Sequence, residues 1–219
     1  MSLRKLFAFT VTLLALAFPA WAQAPQPFQV LSPAQPTDGG GKIEVIEFFW
    51  YGCPHCYSLE PEVAAWAKNA PKDVVFRRVP AVANPLWEES AAIYYTLEAM
   101  GLVDQYHQKV FDAFHKENQN LANQRIREEW LKKNGIDVAK YNDVAKSFSV
   151  ATKLNRAKQM TANYKVDGVP RVFVNGKYYT APEFAGSGAR VFGVVDQLVG
   201  MARKEKSAAA SSPAAIAQR

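Results

Sequence analysis

Cysteine and histidine are scarce in this chain. Of its 219 residues two are Cys and three are His, and both cysteines lie in the segment Cys53-Pro54-His55-Cys56. A structural zinc site needs four nitrogen or sulfur ligands, and neither a second cysteine pair nor a cluster of acids accompanies this one. His107 and His115 lie eight residues apart, and we expect them on helix surfaces. The sequence therefore predicts no metal site.

Long apolar runs are also lacking. Leu6 to Phe18 is too short to cross a bilayer, which takes about 20 residues, and no later run is longer. Arg4 and Lys5 precede this run, and Ala20-Trp21-Ala22 follows it as a small-x-small cleavage site. We expect residues 1–22 to be a signal peptide cleaved after Ala22, so that the mature protein is exported and soluble.

A concentrated basic patch is missing as well. The formal net charge is +6, but the basic residues are spread along the chain, which is typical of a solvated surface. Binding to a phosphate backbone needs such residues clustered, so we expect no nucleic-acid partner. No internal repeat and no dimerisation module is visible either, and we expect a monomer. The scattered residues include Arg77, Arg78, Lys132, Lys133, Arg156 and Lys158.

The first half of the mature chain alternates strand and helix signals. Residues 23–42 form a lead-in segment rich in Pro and Gly, with one strand-like stretch from Phe28 to Leu31. Ile43 to Phe49 is β-branched and aromatic, as in a strand covered on both faces. Pro54 suits the first turn of a helix that runs to about Asn69, with a kink at Pro61. Val74 to Val79 is a second buried strand.

Helical signals dominate from residue 85 to residue 164, and strands return after them. Arg171 to Val174 and Lys177 to Tyr179 form a hairpin through Asn175-Gly176. A last helix runs from Arg190 to about Ala202. Residues 203–219 are Ala, Ser and charge, so we predict a disordered tail. The predicted helices of the central block are Leu86–Met100, Val103–Lys116, Gln124–Asn134, Val138–Ser147 and Thr152–Tyr164.

This order of elements resembles the thioredoxin fold with a helical insertion, an α/β architecture. Residues 43–84 and 165–202 would form the thioredoxin-like domain, and residues 85–164 the inserted helical domain. Glu47-Phe48-Phe49 before the dithiol motif, Gly168-Val169-Pro170, and Phe173 to Lys177 narrow the resemblance to the DsbA family of bacterial oxidases. The resemblance covers about residues 43 to 200.

The C-x-x-C spacing at a helix start points to reversible dithiol chemistry. Two intervening residues let both sulfurs bond across one turn, with Cys53 exposed as the attacker and Cys56 as the resolver. Backbone N–H groups at the helix N-terminus favour the Cys53 thiolate, and His55 adds a donor or a positive charge. If the pKa of Cys53 fell to about 4, the reduced form would gain roughly 4 kcal/mol at pH 7, equivalent to about 90 mV.

The resemblance also assigns roles to residues outside the motif. Glu47 matches a buried acid that exchanges protons with the second cysteine, and the alternative is an ordinary solvated glutamate. Glu44 serves as an outward-facing comparison. Pro170 matches the family's cis-proline, which lies against the dithiol and leaves the backbone of Val169 free to pair with substrate. Arg171 departs from the apolar residue expected after that proline. This difference leaves open which substrates are preferred beside Pro170.

Aromatic residues are a further candidate for substrate recognition. Trp66, Trp87 and Trp130 are interpreted as core. Trp50 and Tyr51 directly precede the dithiol motif, and we predict that they line an apolar surface for unfolded chains.

The DsbA resemblance implies a periplasmic thiol:disulfide oxidoreductase that donates the Cys53–Cys56 disulfide to reduced, newly exported polypeptides. Its only redox group would be this disulfide, and the implied reoxidant is an inner-membrane partner of the DsbB type. A disulfide isomerase or reductase uses the same motif. A binder of unfolded chains with a structural disulfide, or a zinc module, is the alternative from another class.

Overall fold

The computed structural model describes residues 26–211 of the chain. The predicted signal peptide and the last eight residues of the predicted tail lie outside them. Within the described range no helix has the length and apolar character that crossing a membrane requires.

Five strands form one mixed sheet in the order β1-β5-β4-β2-β3, with β2 and β3 parallel and the other neighbours antiparallel. The structure confirms the four main predicted strands to within one residue at each end. The short β1 pairs with β5 at one edge of the sheet, inside the stretch predicted as strand-like. The strands are β1 Gln29–Val30, β2 Ile43–Phe49, β3 Val74–Pro80, β4 Arg171–Val174 and β5 Tyr178–Thr180.

The five predicted helices of the insertion are all present, and side chains cap most of their N-termini. The fifth begins four residues earlier than predicted because Ser147 caps it, accepting from the Val150 N–H at 3.3 Å. The short α7 was missed, since four residues carry no periodic signal. The helices are α1 Pro54–Lys68, α2 Pro85–Ala99, α3 Val103–His115, α4 Gln124–Lys133, α5 Val138–Ala145, α6 Phe148–Asn163, α7 Pro182–Ala185 and α8 Gly188–Ala210.

The central strand β2 is buried on both faces, as predicted. Ile43 and Val45 join the apolar cluster that contains side chains of α1 and α8. Ile46 and Phe48 join the cluster formed with the helical insertion. Because side chains alternate along a strand, Glu47 lies on the same face of the sheet as Val45, which is the face that α1 covers.

Glu44 is not outward-facing, so the prediction for this residue was wrong. It is 1% exposed, and its Oε1 lies 2.7 Å from Arg77 on β3. The prediction that Arg77 and Arg78 are solvated was also wrong, because their side chains are 30% and 17% exposed and both pair with buried carboxylates. Burial of both faces of β2 leaves the carboxyl groups of Glu44 and Glu47 almost without solvent contact, and the two partly exposed arginines are the cations beside them.

The predicted tail is ordered in its first part. Helix α8 continues through Arg203 to Ala210, eight residues into the segment predicted to be disordered. Arg203 makes two hydrogen bonds to Asp73, at 2.7 and 2.8 Å, and Lys177 lies 2.6 Å from Glu205. Alanine is the strongest helix former, and extending an existing helix avoids the cost of nucleation.

Candidate active site

Cys53 caps the N-terminus of α1. Its Sγ accepts the Cys56 backbone N–H at 3.4 Å, and Pro54 occupies the first helical position. Both cysteines are free thiols in this structure; Cys56 is fully buried, while Cys53 retains 7% exposure. Cys53 lies nearer to solvent than Cys56, as predicted, but it is buried and not exposed as the sequence interpretation had it.

The two sulfurs differ strongly in acidity. A hydrogen bond from the Cys56 side chain, together with the backbone N–H groups of Cys56 and His55, lowers the pKa of Cys53 to about 6. Burial and the neighbouring Cys53 raise the pKa of Cys56 well above its usual value. At pH 7 the lowered value favours the reduced form by at most about 1.4 kcal/mol, or about 30 mV, and solvent screening reduces this figure. That gain is smaller than the one a pKa near 4 would give.

The Cys53 pKa leads to a direct prediction. Thiolate absorbance of the reduced protein near 240 nm should rise through a midpoint near pH 6. The single variant Cys53→Ser should lack this transition, since Cys56 stays protonated. A midpoint above pH 8 in the wild type would contradict the stabilisation of the Cys53 thiolate by the start of α1.

The cis-proline segment lies against the dithiol. The Val169–Pro170 peptide bond is cis, as predicted, and the Cys53 thiol donates to the Val169 carbonyl at 3.3 Å. A second cis bond, Ser32–Pro33, was not predicted. Pro170 is buried and Val169 is partly exposed. The tertiary structure therefore brings together the two motifs that resembled the DsbA family.

A groove of about 370 Å³ runs beside the dithiol, lined by His55, Val169, Pro170, Arg171 and Glu183 among others. His55 is exposed at the second position of α1. The Arg171 guanidinium does not project freely into this groove. It pairs with Glu183 and with Asp167, 3.1 Å away, and its side chain is 11% exposed.

Glu47 is buried beneath the site. It is 1% exposed, and neither carboxyl oxygen has a hydrogen-bond partner among the described residues. Burial, reinforced by the charge of Glu60 and opposed by Arg78, raises the pKa of Glu47 to about 8. The charge of Glu47 in turn raises the pKa of Cys56. The alternative of a solvated surface glutamate is wrong, because this side chain is buried.

Glu47 belongs to a buried network that the sequence interpretation missed. Arg78 lies opposite Glu47 on β3, with its Nε 3.4 Å from Glu47 and its second nitrogen 2.7 Å from Glu60 of α1. His107 of α3 lies 3.4 Å from the other oxygen of Glu60. A signal was available: Glu60 follows Cys56 by one helical turn, on the face that also carries Val63.

Tyr51 is not part of a surface, so the prediction that it binds substrate was wrong. It is 1% exposed and packs among Phe49, Phe111 and Phe114. Trp50 is partly buried and stacks on Trp87 with ring centroids 4.9 Å apart. A Cβ at residue 52 would come within 2.3 Å of the Trp50 ring, which explains the glycine there.

Both α3 histidines were also predicted wrongly as surface residues. His107 is 5% exposed and lies among aromatic rings, and His115 is partly buried, with its Nε2 2.8 Å from the Tyr51 carbonyl. No group of three or more metal-binding side chains occurs within residues 26–211.

Fold and site together define a thioredoxin-fold dithiol oxidoreductase. A family model described as a DSBA-like thioredoxin domain matches residues 79–199. The thiol:disulfide interchange protein DsbA of Bordetella parapertussis is 44% identical over 184 residues, which are 84% of this chain and 88% of that protein. The protein of the same name from Azotobacter vinelandii is 42% identical over 79% of each chain.

Solved structures agree with the sequence relatives. The crystal structure of Pseudomonas aeruginosa DsbA superposes with a TM-score of 0.78 at 38% identity, covering 84% of this chain and 94% of its own. The chain therefore belongs to the DsbA family of thiol:disulfide interchange proteins. It is a protein-disulfide oxidoreductase, and the thioredoxin fold with a helical insertion is confirmed. The family model begins after the dithiol, so the roles of individual site residues depend on the geometry described above.

Proposed function

We propose that this protein is a periplasmic dithiol oxidase that transfers its Cys53–Cys56 disulfide to reduced, newly exported polypeptides. The observation that carries the proposal is the opposite shift of the two thiols: the pKa of Cys53 is lowered to about 6 and that of Cys56 is raised. A sulfur that is stable as a thiolate is a good leaving group, and stabilising the reduced form makes the disulfide a stronger oxidant.

The exchange proceeds in two balanced steps. A substrate thiolate attacks the Cys53 sulfur, a mixed disulfide forms, and Cys56 leaves as a thiolate. A second substrate thiolate then attacks the substrate sulfur of the mixed disulfide, and Cys53 leaves. The substrate loses two electrons and gains a disulfide, while the protein is reduced to the dithiol.

Glu47 supplies the proton that the first step requires. Cys56 is buried and has a raised pKa, so its thiolate needs a proton as soon as it leaves Cys53. A carboxyl group with a pKa of about 8 is largely protonated at neutral pH and interacts electrostatically with Cys56. In the reverse direction, Glu47 accepts the Cys56 proton when the disulfide is formed again.

The groove beside Cys53 is the proposed substrate site. The Val169 carbonyl already accepts a hydrogen bond from the Cys53 thiol, so the backbone of this segment is within reach of a chain bound to that sulfur. An extended peptide would pair with it as an added strand. The disulfide is the only redox group of this proposal, which includes no metal, no nucleic acid and no second copy of the chain.

The proposed location depends on the sequence of residues 1–22, which reads as a cleaved signal peptide. Because a complete turnover leaves the protein as a dithiol, it needs a reoxidant, and a quinone-linked membrane protein of the DsbB type has the required chemistry.

Equilibration with glutathione buffers tests the direction of the reaction. We expect the dithiol to predominate in a buffer poised at about −230 mV. The disulfide of an oxidant is reduced at a higher potential than the disulfide of thioredoxin-like proteins, whose reduction potential lies near −270 mV. A disulfide that persists to about −270 mV would indicate a reductase. One that persists below about −300 mV would indicate a structural bond and a binding protein without redox function.

A further inference from the structure

Helix α3 of the insertion contacts the turn before the dithiol through two histidines, and both contacts fall on Tyr51. The His107 Nδ1 lies 2.8 Å from the Tyr51 hydroxyl, and the His115 Nε2 lies 2.8 Å from the Tyr51 carbonyl oxygen. A carbonyl oxygen only accepts hydrogen bonds, so the His115 Nε2 carries the hydrogen. Tyr51 is thus held at its backbone and at the end of its side chain.

His115 also contacts the chain on the other side of Cys53. Its ring stacks on Tyr57 of α1, with centroids 4.7 Å apart and an interplanar angle of 13°. The Tyr57 N–H donates to the Cys53 carbonyl at 3.0 Å, and the Tyr57 hydroxyl donates to Asp112 of α3 at 2.9 Å. His115 therefore lies between the turn that precedes Cys53 and the helix that follows it.

His107 connects the same turn to the buried charges. Burial lowers the pKa of His107, so the ring is neutral and has one donor and one acceptor nitrogen. Its Nε2 lies 3.4 Å from the Glu60 carboxyl group without forming a hydrogen bond, and the nearby carboxyl oxygen favours the hydrogen on that nitrogen. Nδ1 then accepts the Tyr51 hydroxyl hydrogen at 2.8 Å, and loss of this bond would leave a buried polar group unpaired.

The position of this turn matters to the thiolate. The Cys53 N–H donates to the Trp50 carbonyl at 3.0 Å, and the Cys56 N–H donates to the Cys53 sulfur at 3.4 Å. Both bonds require the turn of residues 50–53 to keep a fixed position against the first turn of α1. The structure assigns this task to α3: we propose that His115 and His107 are positioning residues that hold the turn and thereby set the redox equilibrium of the dithiol.

Two substitutions at His115 separate its donor from its ring. His115→Phe keeps the stack on Tyr57 but leaves the Tyr51 carbonyl without its donor, whereas His115→Gln keeps an N–H donor and loses the ring. We expect His115→Phe to raise the pKa of Cys53 by about one unit. At pH 7 the equilibrium constant with glutathione should then shift about fivefold toward the disulfide, which corresponds to about 20 mV. His115→Gln should stay within about twofold of the wild type.

Tyr106→Phe is the matched control on the same helix. The Tyr106 hydroxyl donates to the Asn134 carbonyl at 2.9 Å, so this variant also removes a bond from α3 to a backbone carbonyl, but one far along the chain from the dithiol. It should lose stability and leave the glutathione equilibrium unchanged. An unchanged equilibrium in folded His115→Phe, or an equal shift in Tyr106→Phe, would overturn the proposal.

Tyr51→Phe decides the matter if His115→Phe does not fold. It removes only the hydroxyl that His107 accepts from, and it keeps the ring packed. A smaller shift in the same direction supports the proposal, and no shift refutes it. The inference rests on Cys53 and Cys56 being the reactive couple. Failure of the oxidase proposal would appear in the wild-type equilibrium constant, whereas failure of this one appears in the ratio of variant to wild type.

Discussion

We expect Cys53→Ser to abolish disulfide transfer to a reduced model peptide, with a loss on the order of 10³-fold or more. Serine cannot form the disulfide that is donated, and its hydroxyl is no leaving group for a substrate thiolate. The measurement is the rate of peptide oxidation by the oxidised mature protein. If the Cys53→Ser variant kept most of that rate, the dithiol would not be the reactive group.

Cys56→Ser is the matched control for this variant. It also loses the intramolecular disulfide and hence turnover, but it keeps Cys53 at the start of α1 with a hydroxyl donor in place of the Cys56 thiol. We therefore expect it to retain a thiolate and to form mixed disulfides that persist because no resolving cysteine is present. Mass spectrometry of the trapped adducts identifies the attacking sulfur. Adducts on Cys53→Ser rather than on Cys56→Ser would reverse the assignment of the two cysteines.

We expect Glu47→Gln to stabilise the reduced protein by about 3 kcal/mol at pH 7, and we expect this gain to disappear near pH 4. The pKa of Glu47 is raised from its ordinary value of 4.5 to about 8 in the folded state. Between these values the unfolded chain ionises this group while the folded protein keeps it protonated, so the folded state loses stability as pH rises. Glutamine has a similar shape and does not titrate, which removes this loss.

The comparison is made by urea unfolding of the reduced wild type and variant at pH 4.5 and pH 7.5. Arg78 keeps Glu60 as its partner at 2.7 Å, so the guanidinium group is not left without an ion pair by the substitution. Glu44→Gln is the matched control on the same strand, since Glu44 already accepts from the Asp38 N–H and lies 2.7 Å from Arg77. Its pH-dependent gain should be smaller. A difference between wild type and Glu47→Gln that is the same at both pH values would contradict a raised pKa.

Local patterns were enough to predict all of the main strands and helices except the four-residue α7. The bounds of β2 and β4 match the predicted ones because each is a short apolar run bounded by turn residues. The insertion helices were found because their apolar positions repeat with the helical period. The error in the tail arose at Arg203, whose ion pair with Asp73 joins residues 130 positions apart.

Such local patterns could not predict the burial and the pairing of the histidines and charged residues of the site. His107 and Arg78 look like surface residues in their own segments, and only the packing of α3, α1 and β3 around β2 reveals that they are buried and paired. Tyr51 was assigned to a surface because it precedes the dithiol motif, whereas the insertion covers it completely.

The sequence by itself determined the chemistry of this protein: two cysteines spaced across one turn at the start of a helix, with a glutamate on the preceding strand. These features are local, because a proline at the first helical position and a short apolar strand dictate their own backbone. The tertiary structure decided the environment of those groups. It placed Val169 against Cys53 and closed the layers over Glu47, Glu60 and His107, because burial and long-range pairing depend on which distant segments pack together.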